Sequence, residues 1–348
     1  MNALLIETPV LSSRYPARQL QTQISSERLV VTLNGLTLLD LALQPDTQDD
    51  SLRGELKYID KTMESEAILA ACEGAFTQSP ALEKLTLSHP PSVAIEAFLA
   101  DGLLRRAGKD SVTCTSQALW QTPHPWLPKA SFGVLPQQYV MTDTKRHPLR
   151  PAPQSSVLYR RFIPWLGQTL TFKLSDPERD LETFNRWMNA PRVAQFWEEE
   201  GSQEQHRAYL QKMLDDPHAQ PVTGFFDNQP FGYFEIYWAK EDRIAPFYEA
   251  DDYDRGLHLL VGEESFRGKT FYTAWFSSIC HYLFLDDPRT QRIVCEPRHD
   301  NQRQIANFDR SGFAKIKHFD FPHKRALLVM LSRERFFSDG LYQPLKSQ

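Results

Sequence analysis

Between Arg255 and Tyr282 the sequence reads R-G-L-H-L-L-V-G-E-E-S-F-R-G-K-T-F-Y-T-A-W-F-S-S-I-C-H-Y. His258 is the one polar side chain in the apolar run Leu257 to Val261, the pattern of a buried strand that carries a single functional group. Arg267-Gly268-Lys269 then forms a compact basic turn, and Trp275, Phe276, Ile279, Cys280 and Leu283 follow at helical spacing. Strand, basic glycine turn, helix is an order that makes an anion site. The first amides of a helix lack intrahelical partners and its dipole is positive there, so backbone and the two cations hold a phosphate together. The same order also describes an ordinary strand, turn and helix.

The rest of the chain limits what surrounds this turn. Its 348 residues suffice for two domains, each with its own core. A net charge of -5 with no Lys/Arg-dense face argues against nucleic acid as a partner, so the basic residues near Arg267 are aimed at one small anion. M-N-A-L-L-I-E-T-P-V has no basic leader, and nowhere do about 18 apolar residues follow one another, so the expectation is a cytoplasmic protein without a membrane partner. Cys72, Cys114, Cys280 and Cys295 lack metal-ligand spacing and read as reduced, mostly buried thiols; no metal is expected.

In the first part, Glu27 to Leu43 is two apolar runs joined by Asn34-Gly35, the strongest short hairpin signal. A strand over Gly54 to Asp60, a helix over Met63 to Phe76, a strand over Leu82 to Ser88, a helix over Val93 to Ala100 stopped by Gly102, and a strand over Ser111 to Trp120 complete an α/β unit. Residues 1–120 are therefore expected as one domain. From 121 to 165, eight prolines exclude a long helix or central strand, and an extended linker is expected.

A second domain, 166–340, opens with a strand over Thr169 to Leu174 and a helix over Asp180 to Met188 broken at Asn189-Ala190-Pro191. Val193, Phe196 and Trp197 continue that helix's apolar face. Ser202 to Gln205 is a capping-box pattern starting a helix over Gln203 to Leu214. Strands over Pro221 to Phe226 and Phe231 to Trp238 lead into the histidine strand. Beyond the long helix come a strand over Gln291 to Glu296, a helix over Asn301 to Arg310 begun by Asp300 or Asn301 and stopped by Gly312, and strands over Phe313 to Phe319 and Arg325 to Leu331.

This element order resembles the GNAT acyltransferase superfamily. The words R-W-M-N-A-P-R-V (186–193), F-W-E (196–198), P-F-G-Y-F-E-I-Y-W-A-K-E-D-R (230–243), D-R-G-L-H-L-L-V-G-E (254–263), E-P-R-H-D-N-Q-R (296–303) and D-F-P-H-K-R (320–325) narrow the likeness to siderophore-biosynthesis acyltransferases. Among these it is most similar to the members that acetylate N(epsilon)-hydroxylysine in the aerobactin pathway. The resemblance covers about half the chain, and implies an α+β mixed sheet in which two neighbouring strands splay to grip the pantetheine of acyl-CoA. Two departures stand out. Thr270 and Tyr272 replace the small residues that usually end the phosphate loop, and Arg298 stands where distant relatives carry a carboxylate two residues after the Glu of E-P-x. The segment 82–106 also lines up with 290–313 as strand, Pro-containing turn, helix and Gly stop, so the first domain is expected to be a smaller, degenerate GNAT-like copy without a CoA site.

The resemblance implies attack of a substrate hydroxylamine on a thioester, with acetyl-CoA or succinyl-CoA as co-substrate and no metal. His258 is the candidate base, against the alternative of a satisfied core histidine, because its ordinary pKa near 6.5 suits proton transfer at neutral pH. Asp300 orients the base or takes the proton itself, or else caps the following helix. Amides at Leu260 and Val261 would supply oxyanion donors if that strand bulges. Arg267, Gly268, Lys269, Asn301 and Arg303 are candidate CoA contacts. Glu235, Trp238, Asp242, His323, Lys324 and Arg325 are candidate clamps for a hydroxylysine or a hydroxylated diamine such as hydroxycadaverine or hydroxyputrescine. Other enzymes of the siderophore pathway are implied partners. A non-catalytic GNAT-like scaffold is the alternative from another class.

Overall fold

The computed structural model describes residues 11–15, 18–46, 50–90, 92–128, 136–153 and 155–344; the first ten residues, Pro91 and parts of the expected linker lie outside them. The chain clusters into two compact units, residues 1–128 with 160–168, and 129–159 with 169–348.

The first unit contains β1 (Leu11–Tyr15), β2 (Arg18–Ile24), β3 (Arg28–Leu33), β4 (Leu36–Pro45), β5 (Ser51–Ile59), α1 (Glu64–Gln78), β6 (Lys84–Ser88), α2 (Ser92–Ala100), β7 (Leu104–Gly108), β8 (Ser111–Thr115) and α3 (Ser116–Trp120). Its sheet runs β1-β2-β3-β4-β5-β6-β8-β7. Asn34 (φ 50°) and Gly35 (φ 81°) both take left-handed backbone, which matches the twist of the β3–β4 hairpin. The expected strand over 111–120 is instead β8 followed by α3, because the Thr115 hydroxyl accepts the Ala118 amide at 3.2 Å and caps a helix. β7 was not expected. It is an edge strand exposed beyond Leu104, so its sequence carries no alternation to read.

The second unit has a hairpin of β9 (Tyr139–Thr142) and β10 (Lys145–Pro148), lying within the expected linker. Along the chain then come β11 (Val157–Ile163), whose residues from Arg160 on cluster with the first unit, β12 (Gln168–Leu174), α4 (Leu181–Met188), α5 (Pro191–Trp197), α6 (Gln203–Asp215), β13 (Ala219–Phe226), β14 (Gln229–Trp238) and β15 (Arg255–Val261). α7 (Lys269–Asp286), β16 (Arg292–Cys295), α8 (Gln302–Arg310), β17 (Ala314–Asp320), β18 (Arg325–Ser332) and α9 (Arg333–Ser338) complete the order. The sheet runs β11-β12-β13-β14-β15-β16-β18-β17. The capping box at Ser202 and Gln205 is formed in full. Phe196 departs from expectation: it stands about half exposed at the end of α5 rather than on the apolar face. α7 is buried continuously from Ala274 to Leu285, and each large apolar side chain there contributes roughly 1.5–3 kcal/mol by leaving water.

The two sheets follow one plan. In each, the fifth and sixth strands are parallel, a buried helix crosses between them, and the remaining pairs with assigned register are antiparallel. Two differences separate them. β2 passes to β3 through residues 25–27, whereas β12 and β13 are separated by α4, α5 and α6. β5 and β6 stay paired from Ser51↔Lys84 through Glu55↔Ser88, whereas β15 and β16 pair only at Arg255↔Ile293 and Gly256↔Val294 and then part.

Candidate active site

The opening beyond Gly256 is lined from β14 and β15. Alternation puts Tyr233, Glu235 and Tyr237 on one face of β14 and, through the pairs Glu235↔His258 and Tyr237↔Gly256, His258 beside them. The other face packs on α7, with Phe234 5.6 Å from Trp275 between ring centroids.

His258 stands between two carboxylates. Its Nδ1 lies 3.1 Å from Glu235 Oε2 and its Nε2 2.8 Å from Glu296 Oε1, just past the end of β16. Burial alone would lower the imidazole pKa, but the charges and hydrogen bonds of Glu296 and Glu235 raise it to about 10. Burial would raise Glu296, but His258, then Lys324 and Tyr237, bring it down to about 2. The raised pKa keeps the ring an imidazolium, whose two N–H groups face Glu235 and Glu296.

Tyrosines occupy the other carboxylate positions. Tyr237 donates its hydroxyl to Glu296 Oε2 at 2.8 Å, Tyr233 donates to Glu235 Oε1 at 3.3 Å, and Tyr209 of α6 donates to the same Glu235 oxygen. Burial, and then the neighbouring carboxylates, push all three phenols above their usual range, so they remain donors. Lys324 Nζ donates to the Glu296 carbonyl oxygen at 3.0 Å.

The backbone of β15 completes the opening. The Gly262 amide donates to the Phe231 carbonyl of β14 at 2.8 Å, so the two-residue alternation turns the N–H and C=O groups of Leu259 and Val261 away from β14, toward the opening. Leu260, an expected oxyanion donor, turns its backbone to β14 instead, in an unbroken register without a bulge. The following turn is held from α4 and α5. Arg192 donates to the carbonyls of Val261 (2.7 Å) and Gly262, Trp187 Nε1 donates to Glu263 at 2.9 Å, and Arg186 pairs with the same carboxylate. Arg267, Gly268 and Lys269 are exposed at the start of α7, whose first turn has no side-chain cap. Gly268 takes φ 105°, a conformation that strains any residue with a Cβ. This suits an anion received at the helix N-terminus. Tyr272 faces away from that role, stacked on Phe276 and accepting from Ser311 Oγ at 3.4 Å.

The other expected residues divide. Lys324 joins the cluster, and Glu235 orients His258 instead of standing free. Asp300 is bound to Arg298 (3.2 and 2.9 Å), about half exposed, while Asn301 caps α8 through the Gln304 amide. Trp238 lies on the opposite face of β14, between the guanidinium groups of Arg255 (4.0 Å) and Arg150 (4.3 Å). His323, Arg325 and Arg303 are exposed, His323 stacking on Phe321 and Arg325 lying 3.8 Å from Asp320. Asp242 is half-buried. The sequence assigns no role to Glu296, Tyr209, Tyr233, Tyr237 or Arg192. The available signals were the Glu of E-P-R-H and the alternation in Y-F-E-I-Y.

All four cysteines are free and buried. Among the described residues no helix is long and apolar enough to cross a membrane, and no group of three or more metal-ligating side chains is found.

Residues 176–321 match the acetyltransferase (GNAT) domain family. The chain is 45% identical over 225 residues to the N(6)-hydroxylysine O-acetyltransferase of Escherichia coli, covering 64% of this chain and 70% of that protein. It is 44% identical over 227 residues to the N(5)-hydroxyornithine:cis-anhydromevalonyl coenzyme A-N(5)-transacylase of Beauveria bassiana, covering 60% of this chain and 50% of that one. The crystal structure of an uncharacterized protein from Bacillus halodurans is 28% identical with a TM-score of 0.51, covering 54% of this chain and 98% of its own.

Proposed function

The chain belongs to the GNAT acetyltransferase family, and on that premise we propose that it transfers an acyl group from acyl-CoA to a hydroxylamine nitrogen, giving a hydroxamate for siderophore synthesis. The favoured pair is acetyl-CoA and N(6)-hydroxylysine. The names of the two relatives, one for hydroxylysine acetylation and one for transacylation from coenzyme A to hydroxyornithine, support the donor and the acceptor class. One observation carries the reading: β15 and β16 part after two pairs, and the Glu235–His258–Glu296 array stands in that opening.

The nitrogen lone pair forms a C–N bond to the thioester carbonyl carbon, the oxygen takes the negative charge, and collapse breaks the C–S bond and releases the CoA thiolate. The nitrogen loses one proton. A hydroxylamine is largely neutral at pH 7, so positioning counts for more than base strength. With His258 held protonated between Glu235 and Glu296, a carboxylate rather than an imidazole lone pair accepts the N–H. His258 fixes the two carboxylates. The cleft-facing amides of Leu259 and Val261 are placed for the oxyanion, and Arg267, Lys269 and the α7 amides for the pyrophosphate.

The test combines the protein, acetyl-CoA and N(6)-hydroxylysine, reading thiol release and the coloured ferric complex that a hydroxamate forms and an O-acyl ester does not. Thiol release with ferric colour is expected. No release above the spontaneous rate, with hydroxyornithine and hydroxylated diamines also tried, would sink the reading.

A further inference from the structure

Three cations face one carboxylate at the mouth of the site. Glu296 Oε1 lies 2.8 Å from His258 Nε2, 3.8 Å from Arg243 Nη2 and 3.9 Å from Lys324 Nζ, while Tyr237 takes Oε2. His258 and Tyr237 hold Glu296 at hydrogen-bond distance, so Arg243 stands off it without a hydrogen bond. Its side chain is 49% exposed, and its guanidinium lies 5.3 Å from the centre of the Phe321 ring, on which Lys324 Nζ also rests at 5.4 Å. The adjacent residue has the opposite surplus. Asp242 Oδ1 accepts the Ile244 amide at 3.0 Å; burial raises its carboxyl against the pull of that amide, His258 and Arg243, and no cation lies within ion-pair distance of it among the described residues.

A cation held 3.8 Å off its carboxylate and a carboxylate without a close ion pair, on neighbouring residues, match a head group that carries both charges on one carbon. A guanidinium holds a carboxylate through a two-pronged contact, and a half-buried carboxylate holds an ammonium. We propose that Arg243 and Asp242 recognise the zwitterionic head of the acceptor, Arg243 its carboxylate and Asp242 its ammonium, and so select hydroxylated amino acids over hydroxylated diamines. This rests on the acyltransfer reading of the same site. A diamine brings the ammonium alone and leaves Arg243 with only its 3.8 Å approach to Glu296 and no hydrogen-bonded anion, a mismatch that a site built for hydrogen bonding rejects strongly.

The experiment compares kcat/KM for N(6)-hydroxylysine and for N-hydroxycadaverine, which lacks only the carboxylate, with acetyl-CoA and the full chain. The wild type is expected to prefer the amino acid by about a hundredfold or more. Arg243→Gln should reduce that ratio by about tenfold or more, Arg243→Lys should restore part of it, and Arg243→Glu should move it furthest toward the diamine. Both substrates undergo the same chemistry beside Glu296, so a general disturbance of the site lowers both rates and leaves the ratio alone. A ratio unchanged in Arg243→Gln and Arg243→Glu overturns the proposal, as does a wild type that acylates both substrates equally well. A wild type that acylates neither overturns the acyltransfer reading itself.

Discussion

The phenol ring of Tyr237 fills the space a side chain at Gly256 would need: a Cβ there would stand 1.9 Å from Tyr237 Cε2, on the strand paired with it. Lying over Gly256, the ring carries its hydroxyl across β15 to Glu296 beyond β16. Gly256→Ala should therefore displace the ring and leave a buried carboxylate oxygen short of a donor, at about 1–3 kcal/mol of stability. Turnover should fall by about tenfold or more, because Glu296 then holds His258 less firmly. With Tyr237→Leu already present, Gly256→Ala should cost much less. Urea denaturation of the four proteins measures this, and simple additivity would show that the two residues do not depend on each other.

His258 should remain protonated across the neutral range. Its folded pKa near 10 exceeds the ordinary 6.5, so the folded chain keeps a proton that the unfolded chain releases. The resulting stabilisation is whole below pH 6.5 and declines as pH rises to about 10. Glu296 behaves oppositely: its contribution is whole above the ordinary 4.5 and is lost as pH falls toward about 2. The stability difference between wild type and His258→Gln should thus shrink steadily from pH 6.5 upward. Nitrogen-15 spectra of the ring should show both nitrogens protonated at pH 8. A ring that titrates near 6.5 would restore His258 as a free base.

Much of this was legible before the fold was in hand, for identifiable reasons. The Asn34-Gly35 hairpin, the capping box at Ser202 and the strand, turn and helix from Arg255 to Asp286 are local patterns, and each formed. β7 stayed hidden because an exposed edge strand needs no apolar alternation. His258 stood out as the one polar side chain in its run, but its partners did not. Glu296 is 38 residues away, past the end of a four-residue strand, and only the parting of β15 and β16 lets the two side chains meet. Asp300, chosen as a candidate orienter, found Arg298 two residues off instead. Trp238 was grouped with Glu235 by proximity in the chain, against the alternation that sends it to the other face.

Arg192 should govern the donor side. It joins α5 to the carbonyls of Val261 and Gly262 at the end of β15, and a Cβ on Gly262 would stand 2.1 Å from the Trp187 ring, so α4, α5 and the turn before α7 are packed against one another. Arg192→Ala should raise KM for acetyl-CoA by about tenfold while changing kcat less, since the reacting groups stay in place. Arg192→Lys should recover part of the loss. A change confined to kcat, with KM for acetyl-CoA untouched, would separate Arg192 from the donor site.

The first unit should bind no acyl-CoA, although its sheet follows the same plan. β5 and β6 remain paired through Glu55↔Ser88, which closes the space that opens between β15 and β16. The link from β5 to α1 reads Asp60-Lys61-Thr62-Met63, where Asp60 accepts from Thr62 and puts a negative charge before the helix in place of a basic glycine turn. Calorimetric titration of the full chain with acetyl-CoA should therefore give one site. Arg267→Glu combined with Lys269→Glu should abolish that binding and reveal no second, weaker class, since each reversed charge repels the pyrophosphate. Saturable binding that survives this pair of changes would mean that the first unit has kept a donor site of its own.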